Sequence, residues 1–115
     1  MEAAAPAAEF KIAAARPRRQ SKHMLYMVIE RFKEGAVPQI YQRLREKGRM
    51  MPEGLEYVSS WVDLEFKTCY QLMQTEDASL FPLWTDNWKD LMDFEIMPVR
   101  TSAETAALMT RENQL

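Results

Sequence analysis

The sequence predicts one α+β domain whose elements run β-α-β-β-α-β, and three observations carry that reading. Leu25 to Phe32 is a β-branched and aromatic run without a breaker. Leu55 to Asp63 and Thr68 to Thr75 alternate on either side of a short loop, as two halves of a hairpin do. Ala36 to Lys47 and Ser79 to Leu91 repeat apolar residues at three- and four-residue spacing, the pattern of amphipathic helices. A length of 115 residues suits one domain, and 47% hydrophobic with 28% charged residues is the balance of a globule that folds in water.

The first strand, LYMVIERF, ends where Lys33-Glu34-Gly35 supplies a turn. The first helix sets Val37, Ile40, Tyr41 and Leu44 on one side, with Gln39, Gln42, Arg43 and Glu46 opposite, and ends at Gly48 after the basic residues Arg43, Arg45 and Lys47. Pro52-Glu53-Gly54 turns the chain into the hairpin. In the second helix Leu80, Leu83, Trp84, Trp88 and Leu91 form a ridge, and Pro82 lies in the first turn, where its missing N–H costs little. Phe94 to Val99 is the last strand, and Pro98 restricts it to an edge or a strand end. Thr101 and Glu104 have capping-box spacing for a short helix over Ala103 to Arg111.

This order is that of a ferredoxin-like fold, a four-stranded antiparallel sheet with both helices on one face. Right-handed crossovers place strands one and three in the centre, strand four beside strand one and strand two beside strand three. Alternation assigns Leu25, Met27, Ile29, Val58, Val62, Tyr70, Leu72, Phe94 and Ile96 to the helix-covered face, with Ser60 an exception. The other set is Tyr26, Val28, Glu30, Tyr57, Ser59, Trp61, Cys69, Gln71, Met73, Glu95 and Met97. It mixes large apolar bodies with polar tips, too apolar for bare solvent, so a homodimer with these faces turned inward is expected.

Composition excludes several classes of chemistry. Cys69 is the single cysteine and His23 the single histidine, and the latter precedes the first strand. An intramolecular disulfide framework, a thiolate metal cage, a zinc site and a Ser-His-Asp triad therefore lack their residues, and no metal or cofactor is expected. One cysteine suits a reducing compartment, and a cytoplasmic location is expected. Residues 1–23 carry five basic and two acidic residues, a net +3, whereas the remainder carries ten and fifteen, a net −5. The acidic body disfavours nucleic-acid binding. The cluster Arg16 to Lys22 reads as a solvated, disordered basic extension rather than a nucleic-acid or membrane contact, and no stretch is long and apolar enough for a signal peptide or a membrane span. Met24 is the expected start of the fold and of translation, which divides the chain into an extension 1–23, a domain 24–100 and a C-terminal segment 101–115.

Met24 to Phe32, Pro52 to Leu55, Cys69 to Met73, Trp88 to Glu95 and Pro98-Val99 together resemble a small bacterial family known as a domain of unknown function. That family is similar to the dimeric α+β barrel superfamily, which includes small monooxygenases, muconolactone isomerase-like proteins and haem-binding relatives. The resemblance spans residues 24–99 and implies a fold and a dimeric habit, with no catalytic residues to carry over. Haem binding generally uses an imidazole, and His23 lies outside the expected domain.

Glu30, near the end of strand one, and Glu95, near the start of strand four, are candidates for an acid/base pair, since antiparallel strands bring those ends together and two half-buried carboxyls raise one pKa. Tyr26, Tyr57 and Trp61, with Ser59, Cys69 and Gln71, are candidate ligand-binding residues, because ring bodies with polar tips suit binding clefts as well as dimer packing. Cys69 has no histidine to activate it, Trp84 and Trp88 read as a core ridge, and the nine methionines read as adaptable core filling. Two functions remain open. A protein that binds a small aromatic or polar metabolite, or acts on it without a cofactor, predicts a cavity beside Trp61 and Glu30. A non-catalytic interaction or regulatory module predicts those side chains packed solid across the dimer.

Overall fold

A computed structural model describes residues 24–113; the expected disordered extension 1–23, with its basic cluster, lies outside the described residues. The elements are β1 (Met24–Phe32), α1 (Val37–Lys47), β2 (Leu55–Val62), β3 (Thr68–Thr75), a 3₁₀ turn (Ala78–Leu80), α2 (Phe81–Thr85), β4 (Met92–Val99) and α3 (Ser102–Asn113). The four strands form one antiparallel sheet in the order β2-β3-β1-β4, so β1 and β3 are central and Pro98 lies on an edge strand, as predicted. Among the described residues no helix is long and apolar enough to cross a membrane.

Local chemistry explains most of the boundaries. Pro38 lies in the first turn of α1, and Gly48 closes its end at φ +69° with its amide on the Leu44 carbonyl. In the β2–β3 loop Asp63 accepts the amides of Glu65, Lys67 and Thr68, the last two at 2.7 Å, and fastens the hairpin. The capping box of α3 forms as the spacing predicts: the Thr101 amide donates to Glu104 Oε1 and the Glu104 amide to Thr101 Oγ1, each at 3.0 Å.

The second helix is shorter than its periodicity suggests. The predicted span Ser79 to Leu91 resolves into the 3₁₀ turn, five residues of α2 and a series of tight turns. Amides there reach back three residues, from Asn87 to Trp84, from Trp88 to Thr85 and from Leu91 to Trp88. The Asn87 side-chain amide donates to the Leu83 and Met50 carbonyls, which ties this turn to the segment after α1.

In β1 and β3 the two faces of the sheet are the reverse of the alternation assignment, whereas Val62, Phe94 and Ile96 lie on the helix-covered face as expected. Tyr26, Val28, Glu30, Cys69, Gln71, Met73 and Thr75 are buried on the helix-covered face, whereas Leu25, Met27, Ile29, Leu72 and Tyr70 lie on the open one. Register shows the cause, because directly opposed residues of an antiparallel pair share a face. Ile96 opposes Val28 and Phe94 opposes Glu30, so the apolar residues of β4 belong with the even positions of β1. In β2 a bulge between Tyr57 and Ser59 leaves Val58 without a partner, so Tyr57, Ser60 and Val62 face the helices while Ser59 and Trp61 face away. The core is completed by Ile40 of α1 and by Phe81, Trp84, Trp88 and Leu91. Phe81 stands nearly edge-on to Tyr26 with centroids 5.0 Å apart, and Trp84 likewise to Phe94 at 5.3 Å.

Candidate functional site

A polar group in the core is stable only when it is paired, and the helix-covered face pairs most of its own. Thr75 Oγ1 donates to the Gly54 carbonyl at 2.7 Å, and Gln71 Nε2 donates to Met73 Sδ at 3.3 Å. Toward the β1 C-terminus the packing opens into a cavity of about 90 Å³ between the sheet and the helices. Glu30, Ser60, Cys69 and Gln71 supply its polar wall from three strands, and Tyr41, Arg49, Trp84 and Trp88 line it from the helical layer.

Glu30 is 8% exposed and opposes Cys69 directly across the β1–β3 ladder. Burial pushes its carboxyl up to about 7, while a hydrogen bond from the Cys69 thiol and the charge of Arg49 pull in the opposite direction. Cys69 is pushed up to about 12 by burial and by Glu30, with Ser60 hydrogen-bonded to its sulfur. The contacts continue outward, since the Ser60 and Tyr57 hydroxyls are 2.7 Å apart. Tyr41, on α1, is also raised, first by desolvation and then by Cys69 and Glu30.

Arg49 is delivered by the segment that follows Gly48. Its guanidinium donates to Gln71 Oε1 at 3.0 Å and lies 3.8 Å over the Tyr57 ring. The backbone around it is pinned: Trp88 Nε1 donates to the Arg49 carbonyl at 3.1 Å, and Met50 takes a left-handed φ of 59° with its carbonyl on Asn87. Arg43 secures the opposite side, with a two-point ion pair to Asp90, both contacts 2.9 Å, and a bond to the Asn87 carbonyl at 2.8 Å. Trp84 is 2% exposed, and its Nε1 is a buried donor with no hydrogen-bond partner among the described residues.

Of the residues predicted for ligand binding, Cys69 and Gln71 line the cavity with Glu30, and Tyr57 stands beside it under Arg49. Tyr26 is in the core against Phe81. Ser59 and Trp61 oppose Leu72 and Tyr70 on the open face, so the cavity adjoins Glu30 but not Trp61, which is 56% exposed. The pairing of Glu30 with Glu95 is corrected: Glu95 opposes Ile29 on the other side of the sheet and forms an ion pair with Arg31 at 2.9 Å. Arg49, Tyr41, Ser60 and the free indole N–H of Trp84 escaped the sequence reading. Trp84 carried a signal as part of the helix-two ridge, Tyr41 on the apolar side of the first helix and Ser60 as the polar exception on the helix-covered face, but periodicity does not tell a core residue from one beside a cavity.

A family model described as a domain of unknown function, DUF3303, matches residues 24–113. No curated protein and no solved structure matches the chain.

Proposed function

The chain belongs to the DUF3303 family, and from that premise we propose that it binds a small polar metabolite in the cavity between sheet and helices, with Glu30 as the group that exchanges a proton with it. The observation that supports this reading is a buried carboxyl that lines a cavity and titrates near neutrality. General acid/base groups act best when their pKa lies close to the working pH, and strongly perturbed groups in clefts mark functional sites. At pH 7 the acid and carboxylate forms of Glu30 are both populated, so one side chain serves as donor and acceptor. Proton transfer on a carbonyl-type compound is the reaction class this arrangement suits, and it needs no group beyond the side chains.

Thermal melting of the full chain against a library of small metabolites tests the proposal. A true ligand at about a hundred times its Kd stabilises the fold by roughly 2.7 kcal/mol, and its contacts should map to Glu30, Cys69 and Arg49 by NMR. A library without a single stabilising compound would overturn it.

For the open face we propose a second copy of the chain. Half-buried Leu25, Met27, Ile29 and Leu72, with exposed Tyr70 and Trp61, form an apolar surface on the side of the sheet away from α1 and α2, and large patches of this kind on a folded domain mark interaction sites. The competing reading, a non-catalytic interaction module, draws on the same face, and a different protein bound there with an inert cavity would select it.

A further inference from the structure

We infer that the Arg49 side chain is the gate of the cavity: it spans the gap between the helical layer and edge strand β2, and its swing outward admits a small molecule to the buried floor formed by Glu30, Cys69 and Gln71. This rests on the reading of the cavity as a binding site and adds the means by which access to it is controlled.

The burial of the lining residues locates the mouth. Glu30, Cys69, Gln71, Trp84 and Trp88 are all buried and form the closed part of the wall. The lining residues that reach solvent are Tyr41 and Leu44 on α1 and Ser60 and Val62 on β2, with Phe32 at the end of β1. Because β2 is an edge strand, the opening runs between α1 and the rim of the sheet. Half-buried Arg49 crosses that opening: it leaves the chain just after α1, lies 3.8 Å over the Tyr57 ring of β2 and reaches Gln71 Oε1 of β3 at 3.0 Å.

Only the side chain is free to move. The backbone beneath it is pinned by Trp88 on the Arg49 carbonyl and by Asn87 on the Met50 carbonyl. The acceptor is also preset, since the Gln71 amide is oriented by its own donation to Met73 Sδ and holds its oxygen in one place. Arg43 provides the contrast. Its two-point ion pair with Asp90 makes it a fixed clamp, whereas Arg49 is held by a neutral amide and a ring face, so its release from them separates no ion pair. A guanidinium that swings out keeps its charge in water, and a local opening of this kind lies far below global unfolding in free energy.

Acrylamide quenching of tryptophan fluorescence tests the gate with a small neutral probe. The chain has three tryptophans, so W61F, altered on the opposite face of the sheet, leaves Trp84 and Trp88 of the cavity wall as the emitting indoles. Removing the side chain in W61F/R49A should raise the quenching constant about threefold over W61F, and the rise should be independent of urea below the unfolding transition, as a local opening requires. W61F/Y57L, which removes the ring platform, should raise it as well, and carries the test if R49A fails to fold. W61F/G54A, destabilised at a turn away from the cavity, should leave it unchanged. Equal quenching in W61F and both gate variants, or an equal rise in the G54A variant, overturns the inference. The binding proposal is judged separately by the metabolite library: a ligand found with quenching unmoved leaves binding standing without the gate, and a working gate without any ligand does the reverse.

Discussion

Glu30 and Cys69 oppose each other across the central strand pair, carboxyl and thiol hydrogen-bonded beneath the helices. The thiol donates to the ionised carboxylate, yet burial outweighs that help and leaves the acid favoured well above the ordinary carboxylate range.

Stability should therefore depend on pH through Glu30. Its pKa moves from 4.5 to about 7 on folding, so the native state holds the extra proton between those values. The stabilisation is complete below pH 4.5 and is lost as pH rises to about 7. E30Q should match the unaltered protein near pH 4 and exceed it by about 3 kcal/mol at pH 8, as urea unfolding at the two pH values would show. Equal differences at both would remove the carboxyl as the cause.

Cys69 should be chemically quiet. With its pKa near 12, about one thiol in ten thousand is ionised at pH 8. An aromatic disulfide reagent should label the native chain at under about 1% of the rate seen in urea, and comparable rates would show the site open to solvent.

The Arg43 clamp predicts that a conservative change is not neutral. R43K keeps the charge but loses the two-point geometry with Asp90, the Asn87 carbonyl contact and the stacking over Trp88 at 5.5 Å. A loss of about 1 kcal/mol is expected for R43K and about 2 kcal/mol for R43A, measured by denaturant unfolding.

Self-association is tested on the open face, away from the cavity. M27K or I29K should convert a dimer at micromolar concentration to a monomer in sedimentation experiments without loss of secondary structure. An unaltered chain that is monomeric at high micromolar concentration would end the pairing proposal.

Gly54 offers a check on the turn into β2. Its φ is +98°, and a Cβ there would meet Leu80 Cδ1 at 3.0 Å, while its carbonyl already accepts from Thr75. G54A should cost about 1–2 kcal/mol in thermal or urea unfolding.

Element order and strand neighbours were legible in the sequence because turns and periodicities are local signals. Which side of the sheet the helices cover was not, because Leu25, Met27 and Ile29 are as apolar as Tyr26 and Val28, and only the register against Ile96 separates them. Glu30, Cys69 and Gln71 were found as chemistry-bearing positions. Their polar tips pointed to a shared interface, whereas Arg49 and one another partner them within the chain. Arg49 itself follows a helix-ending glycine, where sequence alone does not foretell the direction of a side chain. Glu95 was misplaced because alternation fixes the faces within a strand but not the register between strands: it opposes Ile29, one residue from the Glu30–Phe94 pair.

The bulge in β2 makes the width of the pocket wall a matter of chain length. Val58 is supernumerary to the ladder, and every pair after it, from Ser59–Leu72 to Val62–Cys69, would keep its partner if that residue were deleted. A single codon thus sets how far Tyr57 and Ser60 stand apart, with no exchange of any lining residue.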